Sequence, residues 1–288
     1  MSAIVQDRYG EAEEVLRLEQ IDRPEIADHE VLLRVHAAGV DRGVWHLMTG
    51  LAYPVRLAGY GIRAPKTRVR GREVAGTVEA VGARVTSLRP GDEVFGIGEG
   101  TFAEYARAKE DKLLAKPKSL THAQAAAVPV SATVALQGLR DHGLVPGGDR
   151  ALVIGASEGV GTYAVQIGKT LGAEVTGVSS APKVDLVRAI GADQVIDYTR
   201  EDITDRGHSY DVILDAGGHR PLSPFVRQRL GTFVVFENRD DLAVLAERLE
   251  SGEVRPVVDR TYRLSETPMA IQRMRNGHGR GKLVIEVD

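Results

Sequence analysis

Ala151-Leu152-Val153-Ile154-Gly155-Ala156-Ser157-Glu158-Gly159-Val160-Gly161 decides the fold of this chain. A short apolar run, a Gly-rich turn and an amphipathic segment follow one another without a gap. That order describes a β-strand, a tight turn and the start of an α-helix. The free N–H groups and the positive dipole end of such a helix hold an anion, commonly the pyrophosphate of a dinucleotide. The stretch points to a nucleotide cofactor before it says anything of a reaction.

Downstream of it, β and α segments alternate. Strands are predicted at 174–179, 194–198 and 211–215, and helices at 159–172, 182–190 and 239–249. Regular alternation means a parallel sheet with helices on both faces. Upstream, residues 123–139 are Ala-rich and helical, with Pro129 a break or a helix start. Pro146-Gly147-Gly148-Asp149 marks a turn. Residues 1–120 read differently, as short strands at 31–38, 73–82 and, after the turn Arg89-Pro90-Gly91-Asp92, 91–98. Such spacing suggests a barrel-like all-β domain. The tail has a strand near 257–262, a helix that Ser265 could cap, and a last strand at 282–287.

With 288 residues the chain is too long for one comfortable core and suits two domains. It is 43% hydrophobic and 27% charged, with a net charge of −3, so nothing suggests a nucleic-acid or membrane surface. It has no Cys, which excludes disulfides, thiolate metal ligands and a Cys nucleophile. The first residues lack the basic start and apolar block of a signal peptide, and the longest apolar runs fall short of a membrane span. A cytoplasmic protein is expected.

The chain resembles the medium-chain dehydrogenase/reductase superfamily, in its zinc-independent quinone oxidoreductase-like branch. The resemblance rests on His36-Ala37-Ala38-Gly39-Val40-Asp41, Gly71-Arg72-Glu73-Val74-Ala75-Gly76, Pro90-Gly91-Asp92-Glu93-Val94, the turn at 155–161 and Gly281-Lys282-Leu283-Val284-Ile285, in the family's order over nearly the whole length. It implies an α/β protein with a Rossmann doubly wound parallel sheet plus a GroES-like β-barrel domain. The barrel would be the substrate domain, residues 1–120 with 256–288 returning to it, wrapped around a Rossmann NAD(P)-binding domain at 121–255. Substrate would bind in the cleft between them, and the branch implies a homodimer.

Zinc alcohol dehydrogenases of the superfamily place metal ligands on the same frame. Their first ligand, a Cys, would fall at Asp41, and the His of their Gly-His-Glu motif at Arg72. An arginine stays protonated and cannot ligate a cation. Asp41 with His46 could form half a site, but the eight His show no His-x-x-x-His spacing. No zinc is expected.

The cofactor-binding candidates are Gly155, Ala156, Ser157, Glu158, Gly159, Val160 and Gly161. The three glycine places of the usual pattern fall at Ala156, Glu158 and Gly161. Glu158 is a departure, because it puts a carboxylate where backbone should meet two phosphates. The second strand ends Gly177-Val178-Ser179-Ser180, without the acid that NAD enzymes bond to the ribose. Ser179, Ser180, Lys183 and Tyr198 instead offer hydroxyls, an ammonium and a phenol, which suit a 2′-phosphate. The set resembles the NADPH-binding set of quinone reductases, so NADPH is the expected cofactor.

Hydride transfer is the cofactor's chemistry, and the protein supplies position and electrostatics. Candidates on the acceptor side are Asp41, His46 and Tyr53, of which Asp41 and Tyr53 are carried forward as catalytic, with no definite general acid. The family's nicotinamide-side Thr would fall at Val134, with Thr133 one place off. After Asp215-Ala216-Gly217-Gly218 one αβ unit of the family is expected to be missing, near 220–225. The expected activity is NADPH-dependent, zinc-independent hydride transfer to a quinone or an α,β-unsaturated carbonyl. An alcohol dehydrogenase and a non-catalytic NADPH-binding protein stand as alternatives.

Overall fold

The computed structural model describes residues 1–51, 56, 61–141, 144, 147–203, 210–217, 229–230, 238–277 and 279–287. The first third holds β1 (Ser2–Val5), α1 (Ala12–Val15), β2 (Arg17–Gln20), β3 (Glu30–Val40), α2 (Arg42–Thr49), β4 (Glu73–Val81), β5 (Glu93–Ile97), β6 (Tyr105–Lys109) and β7 (Leu113–Ala115). Two helices follow, α3 (His122–Ala126) and α4 (Pro129–Arg140). Then come β8 (Arg150–Ile154), α5 (Gly159–Thr170), β9 (Glu174–Ser179), α6 (Val184–Ala189), β10 (Gln194–Asp197), β11 (Val212–Asp215), β12 (Arg229–Leu230) and α7 (Arg239–Glu250). The tail holds β13 (Val258–Arg263), α8 (Thr267–Arg275) and β14 (Lys282–Glu286).

The alternating segments form one parallel sheet in the order β10-β9-β8-β11-β12. Ala151, Leu152 and Val153 of β8 are fully buried. An unbroken apolar strand is what a parallel sheet covered on both faces needs. The order reverses between β8 and β11, and the crevice at their carboxyl ends is where open α/β sheets bind ligands. Pro129 opens α4, where its missing N–H costs nothing. That helix is buried along almost its whole length and packs beside α5, bringing Leu139 and Ile167 into one core. Tyr163 on α5 is fully buried, and its hydroxyl donates to the Ala127 carbonyl at 3.1 Å.

A second sheet runs β13-β14-β3-β4-β5-β7, with β6 also paired to β3. In β3, Val31, Leu33 and Val35 point to the core while Arg34 faces out, the two-residue period of a half-buried strand. β14 runs antiparallel to β3 through pairs such as Leu283 with Val40. The tail strands thus lie in the same sheet as the strands of the first third.

Ser265 does not cap α8. It lies in a 3-10 turn, Leu264–Glu266, ahead of the helix. The Glu266 carboxylate accepts from the Arg263 N–H at 2.8 Å, and the Thr267 hydroxyl donates to the Leu264 carbonyl at 2.7 Å. The region 220–225, where an αβ unit is expected to be missing, lies outside the described residues.

Candidate active site

The turn after β8 has the shape its glycines demand. Gly155 has φ of +75°, and a Cβ there would meet the Gly217 nitrogen at 2.7 Å. At Gly161 a Cβ would meet the Gly155 carbonyl oxygen at 2.1 Å, so only glycine lets the first turn of α5 sit on the end of β8. Ala156 and Ser157 are buried between them, and the Ala156 N–H donates to the Val178 carbonyl at 3.0 Å. Glu158 is the N-cap of α5 in extended conformation, and its side chain does not cap the helix. The side chain is turned instead to Arg42, whose Nη2 donates to Oε2 at 3.1 Å. The Glu158 carboxylate therefore carries its own counter-charge, supplied by Arg42 from the other sheet's side of the molecule.

The other predicted cofactor residues gather at and just beyond the carboxyl ends of β9 and β10. Ser179 ends β9 and is buried; Asp197 of β10 stands beside it in register. The Tyr198 N–H donates to the Ser179 carbonyl at 3.2 Å, and the residue is 45% exposed. Lys183 closes the 3-10 turn Ala181–Lys183, its N–H on the Ser180 carbonyl at 2.9 Å. Its ammonium donates to the Gly277 carbonyl at 3.2 Å, which ties this cluster to the loop before β14.

Between the parallel sheet and the barrel lies a cleft of about 720 Å³. Glu158, Gly159, Val160, Asp215 and Ala216 line it from the parallel sheet, with Val130, Ser131 and Val134 from α4. Asp41, Arg42, His46 and Arg72 line it from the barrel, with Gly277, Gly279, Gly281 and Lys282 from the tail. Asp41 caps α2, Oδ1 accepting the Val44 N–H at 3.1 Å, while its buried Oδ2 has no hydrogen-bond partner. Beneath the cleft Lys282 and Glu73 form a fully buried ion pair, and Glu73 also accepts the Val130 N–H at 2.9 Å. Burial pushes the Glu73 carboxyl up, and the Lys282 ammonium works against it. Gly159 makes room for that lysine, since a Cβ there would meet Lys282 Cδ at 2.8 Å.

The structure thus brings together Asp41 and the turn residues Glu158, Gly159 and Val160 on one cleft; Ser179, Ser180, Lys183 and Tyr198 do not line it but cluster beyond the ends of β9 and β10, from which Lys183 reaches the cleft-lining Gly277. Tyr53 lies outside the described residues. On α4 it is Val134, with Ser131, that faces the cleft, whereas Thr133 is buried and does not line it. Arg42, Lys282 and Glu73 were not singled out as functional. Glu73 and Lys282 sit inside quoted motifs, but nothing local signals that they pair.

A zinc ion does not fit this frame. Asp41 spends one oxygen on its helix, His46 Nδ1 donates to the Leu51 carbonyl at 3.1 Å, and a guanidinium occupies position 72. Among the described residues no group of three or more His, Cys, Asp or Glu could hold a metal ion. Nor is any helix of those residues long and apolar enough to cross a membrane.

The sequence pattern of the alcohol dehydrogenase GroES-like domain matches residues 27–118. Two patterns described as zinc-binding dehydrogenase match 159–236 and 220–285. The mitochondrial NAD(P)H oxidoreductase RTN4IP1 of Mus musculus is 33% identical over an alignment of 356 residues, covering 100% of this chain and 89% of that protein. The chloroplastic NADPH-dependent alkenal/one oxidoreductase of Arabidopsis thaliana is 34% identical, covering 99% and 79%. Among solved structures, the quinone oxidoreductase from Coxiella burnetii superposes with a TM-score of 0.88 at 26% identity, covering 100% of this chain and 99% of that one.

Proposed function

The chain belongs to the medium-chain dehydrogenase/reductase superfamily, in its quinone oxidoreductase-like branch, and we propose that it is an NADPH-dependent, zinc-independent reductase of quinones or α,β-unsaturated carbonyls. One observation supports this most: the Gly-rich turn lines the cleft through Glu158, Gly159 and Val160, and Lys183, just after β9 where no acid stands, reaches the carbonyl of the cleft-lining Gly277 at 3.2 Å. The N–H groups at the start of α5 and the backbone of 155–161 would hold the diphosphate. Lys183, Tyr198 and the two serines would hold the 2′-phosphate, whose charge an NADH lacks. When bound, the reduced nicotinamide supplies a hydride.

The chain's own part is to position the acceptor and stabilise negative charge on its oxygen. We assign the acceptor side to the barrel wall. There the Arg72 guanidinium is always charged. Asp41 Oδ2 is left to accept a donor from a ligand. Asp41 and Tyr53 are the residues assigned to the chemistry. Val130 and Val134 supply apolar surface on the opposite wall, beside Ser131. A cytoplasmic homodimer completes the proposal. Its test is isotopic: NADPH deuterated at the transferring carbon, mixed with an enone, should deliver deuterium to the β-carbon of the product. Product formed without deuterium, or no product, would refute direct hydride transfer.

A further inference from the structure

Glu158 stands at the N-terminal boundary of α5, where free N–H groups and the helix dipole favour an anion. Its Oε2 accepts from Arg42 Nη2 at 3.1 Å, while Arg42 Nη1 donates to the Gly217 carbonyl at 2.9 Å. Arg42 opens α2 on the barrel side. Glu158 and Gly217 follow β8 and β11, the two strands between which the sheet order reverses. The guanidinium therefore bridges the cleft at the crevice where a dinucleotide's diphosphate is expected. Backbone is drawn in beside it, since Glu158 also forms a parallel bridge with Gly281. The pair is partly open to solvent, at 40% exposure for Arg42 and 23% for Glu158, so it can exchange partners.

A carboxylate on a guanidinium, beside a helix N-terminus, offers the charge and the acceptor atoms of one phosphate group. We propose, on the reading of the cleft as an NADPH site, that Glu158 is a built-in counter-ligand. In the free protein it occupies Arg42 in place of the cofactor's diphosphate, and NADPH binds by taking Arg42 from it. The carboxylate returns to Arg42 as the oxidised cofactor leaves. Glu158 thus sets cofactor affinity, and it does so against binding. The departure from glycine at this position becomes a device that keeps cofactor exchange open.

Calorimetric titration of the purified chain with NADPH and with adenosine 2′-monophosphate, which has no diphosphate, tests this. Glu158→Gln should tighten NADPH about tenfold, less than full charge repulsion at an effective dielectric near 20 because solvent and salt reach the site. Adenosine 2′-monophosphate should bind it as it binds wild type. Glu158→Ala should behave likewise, and Arg42→Gln should weaken NADPH. Unchanged or weaker NADPH binding by both Glu158 variants overturns the proposal, as does equal tightening of both ligands. A wild-type chain that binds no NADPH at all instead refutes the proposed function on which this rests.

Discussion

Lys282→Met should be the most damaging single change at the cleft that adds no bulk. Lys282 and Glu73 are 3% and 0% exposed, and the carboxylate also holds the Val130 N–H at the start of α4. Methionine fills much of the lysine stem, so packing changes little. What remains is a buried carboxylate without its cation, and removing one partner of a buried pair costs about 3–5 kcal/mol. For a chain of this size that corresponds to a melting temperature lower by on the order of 10 °C. The loss depends on pH with a definite sign. Burial already raises the folded Glu73 carboxyl above its ordinary value of 4.5, and without Lys282 it rises further. Above pH 4.5 the unfolded chain releases that proton while the folded variant retains it, so the deficit grows as pH rises and shrinks toward pH 4.5. Melting curves of wild type, Lys282→Met and the double variant with Glu73→Gln, at pH 5 and pH 8, read this directly. The double variant should recover more than half of the loss. A single variant melting within about 2 °C of wild type at pH 8, or a double variant that recovers nothing, would refute a structural ion pair.

Gly161→Ala should abolish NADPH binding and lower stability, because its Cβ would fall 2.1 Å from the Gly155 oxygen, a backbone atom that cannot step aside; calorimetry and melting curves report both. Lys183→Met should weaken NADPH by about tenfold and leave NADH within twofold, since a charged contact is lost only to the 2′-phosphate; steady-state KM values for the two cofactors decide it. The His36 and His122 rings lie tilted at 53° with centres 4.5 Å apart, and burial holds both below their ordinary value of 6.5, His36 helped by Arg34 and His122 by His36. Glu93 opposes both shifts. The unfolded chain takes up these protons first, so stability should fall as pH drops below about 6.5, and His122→Asn should flatten that fall in melting curves taken from pH 7.5 to pH 5.

The glycine-rich turn after β8 was legible because its demands are local. Gly155 needs a positive φ and Gly161 a missing Cβ, and both requirements fall within a seven-residue window. That Ser179, Ser180, Lys183 and Tyr198 lie near one another was legible for a related reason: they end or closely follow β9 and β10, and parallel strands present those ends on one edge. Pairings between distant segments were not legible. Arg42 and Glu158 are 116 residues apart, and Glu73 and Lys282 are 209 apart. They meet only because β14 joins the sheet beside β3 and the barrel docks over α5. Helical phase hid one further detail: one step along α4 separates Val134, which faces the cleft, from Thr133, which does not. Ser265 looked like a cap, but Arg263 and Glu266 had already closed the turn ahead of the helix.

The most direct test is cofactor consumption by the purified, chelator-treated chain with a panel of quinones and enones. The expected result is sustained oxidation of NADPH, with kcat/KM about tenfold or more above that for NADH. No turnover of either cofactor with any acceptor, or activity that disappears with the chelator and returns with zinc, would contradict a zinc-free NADPH reductase.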